Sequence, residues 1–461
     1  MQKTALQIVQ ILQNHGFISY FAGGSVRDML MGLLPQDFDI ATNAKPEEIQ
    51  KLFDRTFEIG KDFGVILTHI NGHNFEIATF RKDLEYLDGR RPSKVHFCSA
   101  KEDALRRDFT INGIFYDPIK DEIHDYVNGQ KDLKEKLIRF IGDPEKRIKE
   151  DHLRIIRAVR FKNLLKFQYD PKTYQALKKY FKLSAKVTGE RLNQELNKMI
   201  KSNFMINCLQ DMDDLGILKE ILPEIKEMHG IAQPSEFHHE GDVWIHSFKS
   251  YQALKNNASL HLKWATLLHD IAKPKTYEYR TKNSGLRAKK GTVILACPES
   301  SQRIRFDQHA EKSKIIIKKI LKRLKFSRKD IDHITWLTSH HMIMENLIEM
   351  PKGRQRHWFL HEWFPELLEL FRVDIEGTDP SEFTLYNRIQ TLYNDFLEHL
   401  EKNKPQLKNY LNGEEIMKIL KIPAGPEIGK ILQDLKEKQL AHEIKSKDEA
   451  VEWIKSKTVK L

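Results

Sequence analysis

The sequence contains few cysteines and no long apolar run, and both shortages restrict the kind of protein that it encodes. Its three cysteines, Cys98, Cys208 and Cys297, are too scattered for a disulfide framework or a Cys-x-x-Cys metal site. Residues 2–15 lack the apolar core of a signal peptide, and no stretch approaches the length of a membrane-spanning helix. We therefore expect a cytoplasmic protein without a membrane partner.

Acidic charge is also scarce relative to basic charge. The 461 residues include 76 Lys and Arg but 65 Asp and Glu, which gives a formal net charge of +11. Such an excess favours a polyanionic partner and an affinity that falls with salt, although many basic proteins bind no nucleic acid. The length predicts several domains, each able to bury a core of its own.

The periodicity of the apolar residues divides the chain. Residues 1–140 mix short predicted strands with helices, whereas helical periodicity predominates from about residue 142 onward. We predict an α+β protein with a small mixed-sheet head at 1–140, a helical neck at 141–235, a helical body at 236–400 and a helical tail at 401–461. The predicted strands of the head are 18–21, 38–41, 64–70, 74–80 and 114–116, and the predicted helices of the neck are 151–161, 171–181, 189–200 and 203–215.

A glycine pair followed by two aspartates forms the most informative motif. Gly23 and Gly24 are typical of a turn at the start of a short helix, whose amide groups favour phosphate. Alternation along residues 38–41 is expected to direct Asp37 and Asp39 to one face of a strand. Two adjacent carboxylates repel each other unless a cation lies between them, and oxygen ligands suit Mg²⁺ shared with substrate phosphates. Either half of the motif alone is usually structural, but the combination predicts phosphoryl transfer.

Further runs follow this motif in a fixed order and spacing. They are Glu76-Ile-Ala-Thr-Phe-Arg81, Tyr86-Leu-Asp-Gly-Arg-Arg-Pro92, Arg106-Arg-Asp-Phe-Thr-Ile-Asn112, Gly142-Asp-Pro144 and Glu150-Asp-His-Leu-Arg154. With the first motif, they resemble the class II tRNA nucleotidyltransferase and poly(A) polymerase family, which belongs to the polymerase-β-like nucleotidyltransferases. The resemblance extends over roughly residues 15–200. Ser25 and Gly113 are small departures from the family pattern.

The resemblance implies an enzyme that adds or repairs the 3′-terminal CCA of tRNA from CTP and ATP, without a nucleic-acid template. It implies Asp37 and Asp39 as the catalytic, Mg²⁺-binding pair, with Glu76 on a neighbouring strand as a third carboxylate. Asp108 is implied at the ribose, where it would favour ribonucleotides. The implied nucleotide-binding residues are Gly23, Gly24, Ser25, Arg27, Arg107, Asp108, Asn112, Asp151, Arg154 and Arg157.

Asp151 and Arg154 are expected to select the base. They lie three residues apart and would share one face of a helix, where such a pair is most often a routine ion pair. Cytosine and adenine present an amino donor beside a ring-nitrogen acceptor, while uracil and guanine present a carbonyl acceptor beside an N–H donor. A carboxylate with a guanidinium therefore matches C and A, and the resemblance gives the two residues this role. Arg157, one turn further, is implied as a helper that orients them or contacts phosphate.

Two more segments are interpreted through the resemblance. Residues 81–95 are polar and poorly periodic, as in an ordinary loop. The resemblance implies a flexible loop there that helps the site to switch from C to A. The run Gly189-Glu-Arg191, with Glu195 and Lys198 after it, is interpreted as a structural brace of the neck helices.

The C-terminal half carries residues suited to a second chemistry. They are His246, His269, Asp270, His309, His340 and Asp374, in the order seen in the HD phosphohydrolase superfamily. A His-Asp doublet with further His and Asp ligands can hold one or two divalent cations, here Ni²⁺, Mn²⁺ or Mg²⁺, and activate a water. The histidines expected to be structural are His238, His239, His333 and His357. A scaffold that keeps the HD fold and binds RNA is the alternative.

Several alternatives stay open at the level of sequence. The chain fits a CCA-adding enzyme best, but a poly(A) polymerase, an A-only or a CC-only enzyme of the same family has the same motifs. An HD hydrolase with a vestigial RNA-binding head is a rival from another class, against which the intact Asp pair argues. In the tail, Gly425, Gly429 and Lys430 suit a contact with tRNA phosphate, yet an ordinary packing element fits equally well. The sequence does not specify an oligomeric state.

Overall fold

A computed structural model describes residues 1–60, 64–86, 92–234, 238–281, 287–289, 302–402, 409–441 and 443–457 of the chain. The described residues form two compact units, Met1–Pro223 and Glu224–Leu461. The predicted fold class is confirmed, because the first unit contains a mixed sheet with helices and the second is mainly helical. The finer division into head, neck, body and tail stays a prediction.

A seven-stranded mixed sheet forms the centre of the first unit. The strands of this unit are β1 (Ser19–Ala22), β2 (Asp39–Thr42), β3 (Thr56–Gly60), β4 (Val65–Ile70), β5 (His73–Thr79), β6 (Arg81–Tyr86), β7 (Pro92–Phe97), β8 (Ile114–Asp117), β9 (Glu122–Asp125), β10 (Leu137–Ile138) and β11 (Gln168–Tyr169). The sheet has the order β3-β4-β5-β2-β1-β8-β9, and β2 and β5 are its parallel neighbours. The predicted strands occur where expected, with bounds displaced by no more than about one residue.

Helices surround this sheet and continue beyond it. They are α1 (Gln2–Asn14), α2 (Gly24–Leu30), α3 (Pro46–Leu52), α4 (Ala100–Arg106), α5 (Gly129–Glu135), α6 (Pro144–Glu150), α7 (Leu153–Leu165), α8 (Pro171–Tyr180), α9 (Gly189–Lys201), α10 (Met205–Leu215) and α11 (Leu218–Ile221), with α12 (Pro223–Lys226) at the unit boundary. Helix starts follow local chemistry: Asp143 and Asp170 cap α6 and α8, each followed by a proline.

The alternation of the central strands separates the core from the site. Phe21 of β1 and Ile40 of β2 are buried in one hydrophobic core with Ile8 and Leu12 of α1. Side chains of neighbouring strand positions point to opposite faces, so Asp39 lies on the other face of the sheet. Alternation along β2 therefore presents the Asp39 carboxylate on the face of the sheet away from α1.

The expectation of an irregular loop at residues 81–95 is wrong for its described part. β6 and β7 pair antiparallel, from Arg81 opposite Phe97 to Tyr86 opposite Pro92. The turn at residues 87–91 lies outside the described residues. The polar composition of this ribbon gives no apolar alternation, which is why the pattern did not indicate strands.

The first neck helix also begins later than predicted. Helix α7 starts at Leu153, and Asp151 ends α6 in an extended conformation with φ −146° and ψ 106°. The Asp151 carboxylate accepts a hydrogen bond from Leu153 N at 3.0 Å, a local contact that competes with helix continuation. Asp151 and Arg154 therefore do not share one helix, contrary to the sequence prediction.

The second unit is built from helices and a small sheet. Its helices are α13 (Val243–Gln252), α14 (Leu260–Leu268), α15 (Lys273–Thr276), α16 (His309–Arg323), α17 (Arg328–His340), α18 (Met344–Leu347), α19 (Lys352–Phe359), α20 (Phe364–Gly377), α21 (Thr384–Lys402), α22 (Gly413–Leu420), α23 (Pro426–Leu440) and α24 (Lys447–Lys457). The strands β12 (Glu278–Thr281), β13 (Arg287–Lys289) and β14 (Gln302–Arg305) pair in the order β13-β12-β14. Within the described ranges, no helix combines the length and the apolar composition of a membrane span.

The last three helices share a hydrophobic core. Ile416, Ile431, Leu435 and Ile454 are among its buried members. Asn412 caps α22 by accepting from Glu415 N, and the Glu415 side chain accepts from Asn412 N. The tail is therefore helical, as the sequence predicts.

Candidate active site and metal centre

Two carboxylates lie side by side on neighbouring strands of the sheet. Ala41 of β2 is opposite Ala78 of the parallel β5, so Asp39 and Glu76, each two residues earlier, occupy adjacent positions on one face. Burial, Asp37 and Glu76 raise the pKa of Asp39 to about 6, although solvent still reaches the side chain. Strand β2 begins at Asp39, so strand alternation does not set the direction of Asp37, contrary to the prediction. A divalent cation would relieve this crowding of negative charge.

Gly23 lies directly beside both the Asp39 carboxylate and the Arg107 guanidinium. Its φ of +69° is in the left-handed region that favours glycine. A Cβ there would lie 3.2 Å from Arg107 Nη1 and 3.4 Å from Asp39 Oδ2. The turn therefore passes directly beside both groups, as the sequence motif requires of a phosphate-binding loop.

Arg107 is oriented by α4 and by the sheet. Asp103, four residues earlier, accepts from Arg107 Nε at 3.1 Å, and Nη1 donates to Asn112 O at 3.3 Å. The guanidinium lies 4.8 Å from the centroid of the Phe115 ring. Asp103 was not among the predicted site residues, although its position in an (i, i+4) pair with Arg107 is a signal that sequence reasoning can use.

A continuous chain of polar contacts links α2 to α7. Arg27 Nη1 donates to Asn112 Oδ1 at 2.9 Å, and Asn112 Nδ2 donates to Asp108 Oδ1 at 3.2 Å. Arg157 Nε donates to Asp108 Oδ2 at 2.7 Å. Burial opposes ionisation of Asp108, but Arg157 and the hydrogen bonds hold its pKa well below the usual range. The structure thus brings together four of the predicted nucleotide-binding residues.

The Ser25 side chain does not take part in this chain of polar contacts. Its hydroxyl is buried and donates to Ala22 O at 3.0 Å. The side chain therefore stabilises the glycine turn from within. Its predicted contact with nucleotide stays a prediction, and Gly24 has open space apart from Arg27, whose Nη2 would be 3.7 Å from an added Cβ.

Arg154 is held by groups that sequence reasoning did not include. Its Nη1 donates to Glu150 Oε2 at 2.8 Å and to Arg147 O at 2.9 Å, and the side chain is buried. Arg147 also pairs with Glu150, at 2.5 Å, and donates to the backbone oxygens of Arg106 and Arg107. Glu150 is part of the matched motif, and this was the available signal for its contact with Arg154.

Helix α9 contacts the other member of the predicted base-reading pair. Arg191 donates to both carboxylate oxygens of Asp151, at 2.9 and 2.8 Å. One turn further, Glu195 accepts from Arg160 at 2.6 Å and lies 3.6 Å from Arg157. These contacts match the interpretation of the Gly189 to Arg191 run as a brace.

A cluster of metal-ligating side chains lies in the second unit. His246, His269 and Asp374 form one group whose ligand atoms lie within 4.8 Å of one another, and Asp270, His309 and His341 form another. Asp270 connects them, since it lies 3.3 Å from His269 and 3.5 Å from His309. The three-ligand groups found in the described part of the chain all lie in this unit, so Asp37, Asp39 and Glu76 do not form such a set.

His341 occupies the place that the sequence analysis assigned to His340. His341 Nε2 lies 3.2 Å from His309 Nε2, whereas His340 Nδ1 lies 2.8 Å from Trp336 O and the His340 ring packs on Trp336 and Trp358. The assignment of His340 is therefore corrected to His341. Adjacent histidines at the end of α17 point in different directions, so the sequence alone could not choose between them.

The charges of this cluster suit a cation. Burial alone would lower the pKa of His269, but Asp270 and Asp374 raise it to about 10. Burial, His269 and His309 lower the pKa of His341 to about 4. His269 Nε2 is buried without a hydrogen bond of good geometry, as a metal ligand would be. Four imidazoles and two carboxylates fit a transition metal better than Mg²⁺, which prefers oxygen ligands.

Two further residues complete the surroundings of the cluster. Glu240 Oε1 lies 3.1 Å from His246 Nδ1 and 2.6 Å from His238 Nδ1, which leaves His246 Nε2 directed to Asp374. Lys273 Nζ lies 2.6 Å from Asp270 and donates to Gln233 at 2.7 Å. A carboxylate behind a ligating histidine is usual at metal sites, and His238 is thus connected to the cluster although it was expected to be structural.

Three family models match successive parts of the chain. The model described as the poly A polymerase head domain matches residues 19–139. A model described as the probable RNA and SrmB-binding site of polymerase A matches residues 166–228, and the HD domain model matches residues 243–392.

Curated relatives named CCA-adding enzyme match the N-terminal half. The protein of Bacillus licheniformis is 39% identical over 246 residues, which cover 52% of this chain and 62% of the relative. That of Staphylococcus epidermidis is 42% identical over 247 residues, covering 52% and 60%. That of Streptococcus mutans is 37% identical over 270 residues, covering 57% and 67%. The chain thus spans less than two thirds of the length of the first two relatives.

Solved structures match nearly the whole chain at lower identity. The Bacillus stearothermophilus CCA-adding enzyme in complex with CTP has a TM-score of 0.69 and 24% identity, covering 99% of this chain and 97% of that one. The Thermotoga maritima CCA-adding enzyme complexed with tRNA has a TM-score of 0.53 and 19% identity, covering 99% and 95%. At these identities the likeness establishes the fold.

Proposed function

The chain belongs to the CCA-adding enzyme family, and we propose that it completes or repairs the 3′ end of tRNA by adding C, C and A from CTP and ATP. The observation that carries the proposal is the meeting of Gly23, Asp39 and Arg107 at one point beside Glu76. A glycine turn, a guanidinium and paired carboxylates are what binding a nucleoside triphosphate at a metal site requires.

Mg²⁺ fits the head because its donors would be carboxylate oxygens. Asp37 and Asp39 would hold it, with Glu76 as the neighbouring carboxylate, and bound Mg²⁺ would supply charge neutralisation for the triphosphate and activation of the tRNA 3′-hydroxyl. The pKa of Asp39, about 6, leaves the carboxylate mostly ionised at neutral pH. Arg107 beside Gly23 supplies positive charge to phosphate oxygens.

The polar chain from Arg27 to Arg157 would hold the sugar and phosphates. All four lone-pair positions of the Asp108 carboxylate are engaged, because Oδ1 accepts from Phe109 N and Asn112, and Oδ2 lies 2.7 Å from both Nε and Nη2 of Arg157. Recognition of a ribose hydroxyl by Asp108 therefore requires one of these donors to move. Arg157 is the most exposed of these donors, so we infer that it is the one that would shift toward phosphate.

Base choice would follow from the donors and acceptors of Asp151 and Arg154. Arg154 can donate to the ring nitrogen of cytosine or adenine, and Asp151 can accept from the amino group, while uracil and guanine present the opposite pattern. In the structure both residues have internal partners, Arg191 for Asp151 and Glu150 for Arg154. Nucleotide binding would use the remaining donor and acceptor positions of the pair.

Replacement of the paired aspartates tests the proposal. We expect Asp37→Ala or Asp39→Ala to abolish nucleotide incorporation while tRNA affinity changes little, because these carboxylates would hold metal, whereas the excess of Lys and Arg would bind RNA. The control is Asp54→Ala, which removes an exposed aspartate of the same unit. Incorporation by Asp39→Ala within tenfold of the unmodified chain would contradict the assignment.

The six-ligand cluster favours a second candidate function, metal-dependent hydrolysis of a phosphate ester. His246, His269, Asp270, His309, His341 and Asp374 would hold one or two divalent cations such as Mn²⁺ or Ni²⁺, which supply an activated water when bound. The Lys273 ammonium next to Asp270 adds positive charge for a phosphate group. Metal analysis of the purified chain and of Asp270→Ala tests the site. Loss of bound metal and of any phosphatase activity, with CCA addition intact, is expected, whereas equal metal content would reduce the cluster to a scaffold.

A further inference from the structure

Arg191 fixes the orientation of the Asp151 carboxylate. Its two terminal nitrogens donate to the two carboxylate oxygens at 2.9 and 2.8 Å, in a bidentate pair. Leu153 N donates to Oδ1 as well, at 3.0 Å. Three donors from two segments therefore hold a side chain whose terminal torsion would otherwise rotate broadly.

The same contacts determine how many acceptor positions Asp151 retains. An ionised carboxylate offers about four lone-pair positions, two on each oxygen. Leu153 N and Arg191 Nη1 occupy both lone-pair positions of Oδ1, and Arg191 Nη2 occupies one of the two positions of Oδ2. One acceptor position on Oδ2 is left, which is what recognition of a single amino N–H of cytosine or adenine requires.

The support for Arg191 is itself rigid. Arg191 belongs to the first turn of α9, and Glu195, one turn further on that helix, accepts from Arg160 at 2.6 Å. Glu195 is nearly fully buried, at 3% exposure, so separating α9 from α7 would leave a buried charge without its partner. Of these two charged pairs made by α9, Arg191 with Asp151 thus holds the segment between α6 and α7, and Glu195 with Arg160 holds α7 itself.

We propose that Arg191 is a positioning residue that sets nucleotide choice by presenting one fixed acceptor of Asp151 to the base; this inference rests on the function proposed above. Without Arg191 the carboxylate rotates, and its free lone pairs no longer occupy a defined position relative to Arg154. Cytosine and adenine then lose their advantage over uracil and guanine. Discrimination depends on the unfavourable pairing of uracil or guanine with an acceptor and a donor that are fixed in place. A purely structural brace would instead lower the rate with all four nucleotides equally.

Substitution by lysine separates charge from geometry. Arg191→Lys keeps the positive charge beside Asp151 but supplies a compact ammonium instead of a planar two-pronged donor. Arg139 offers a matched control, because it forms comparable ion pairs with Asp132, at 3.0 Å, and Asp170, at 2.5 Å, in the same unit. Arg139→Ala removes ion pairs of similar geometry without touching Asp151.

The test compares kcat/KM for CTP against UTP on tRNA ending at the discriminator base, and for ATP against GTP on tRNA ending in CC. We expect the preference to fall about tenfold or more in Arg191→Ala, to fall less in Arg191→Lys, and to stay unchanged in Arg139→Ala. A folded Arg191→Ala variant with its preference within about twofold of the unmodified chain would overturn the inference. If that variant does not fold, as judged by circular dichroism, an unchanged preference in Arg191→Lys overturns it. Failure of the unmodified chain to add C or A would refute the proposed function instead.

Discussion

At the scale of residues, the candidate active site is built from charged groups whose partners lie far away in sequence. Asp39 and Glu76 become neighbours through the parallel pairing of two strands, and Arg27 reaches Asp108 through Asn112. Sequence reasoning identified these residues through their motifs. The contact between Arg154 and Glu150 was not predicted, although the (i, i+4) spacing of the two residues within one motif was an available signal. The assignment of His340 in place of His341 is a different error, because two adjacent histidines offer no such signal.

The raised pKa of Asp39 leads to a pH dependence. Because an ionised Asp39 is needed to hold a cation, apparent Mg²⁺ affinity should be constant above pH 7 and should fall as pH drops through about 6. The Mg²⁺ concentration for half-maximal incorporation, measured from pH 5 to 8, checks this. In Glu76→Gln one source of repulsion is absent, so the transition should move to lower pH. A transition near pH 4 in the unmodified chain would contradict the account.

Arg154 leads to a prediction about fidelity. Arg154→Ala should lower the rate and also allow UTP or GTP to compete, because the mismatched N–H donors of uracil and guanine no longer face a guanidinium. The measurement is incorporation from equimolar nucleotide pairs. Arg147→Ala, which removes the other arginine bound to Glu150, should slow the reaction without changing the preference. Reduced activity with an unchanged preference in Arg154→Ala would make Arg154 merely structural.

At the scale of elements, apolar periodicity predicted the strands of the head and the helices of the neck closely. It failed where tertiary contacts decide, as in the β6–β7 ribbon and at Asp151, which ends α6 instead of beginning the next helix. Apolar periodicity likewise does not predict how closely two helices cross. A Cβ on Gly377 of α20 would lie 2.1 Å from Ser250 Oγ and 2.8 Å from Ser250 N of α13, so glycine permits this close contact.

This crossing leads to a prediction for the metal cluster. Helix α13 carries His246 and α20 carries Asp374, whose ligand atoms are 2.9 Å apart. Gly377→Ala should push the helices apart, destabilise the unit by about 1–3 kcal/mol and weaken Mn²⁺ or Ni²⁺ binding at least tenfold. Gly429→Ala is the control, since a Cβ there meets nothing within 4 Å. Titration calorimetry with the metal alone measures the metal affinity of both variants. Equal affinities in Gly377→Ala and the unmodified chain would show that the helix crossing does not set the ligand geometry.

At the scale of the whole molecule, a polymerase-like head and a histidine-rich body occur in one chain but in separate compact units. The family models assign the head and the body to different families, in agreement with the motifs of the sequence. Net charge and length agree with the proposed function but would not have indicated it. In the proposed function, the stop after CCA would depend on how the growing RNA end fits the site, which no motif specifies. The predicted role of residues 81–95 in switching from C to A stays a prediction, as does the contact of the tail with tRNA.

Product length is the most direct test of the central claim. The purified chain is incubated with tRNA ending at the discriminator base, with tRNA ending in CC and with an unstructured RNA, and products are resolved at single-nucleotide resolution. With CTP and ATP together we expect three additions and a stop on the first, one addition on the second and poor use of the third, because in the proposed mechanism protein side chains would read the bases in a site of fixed size. Long adenosine ladders on the unstructured RNA would contradict this account and identify a poly(A) polymerase.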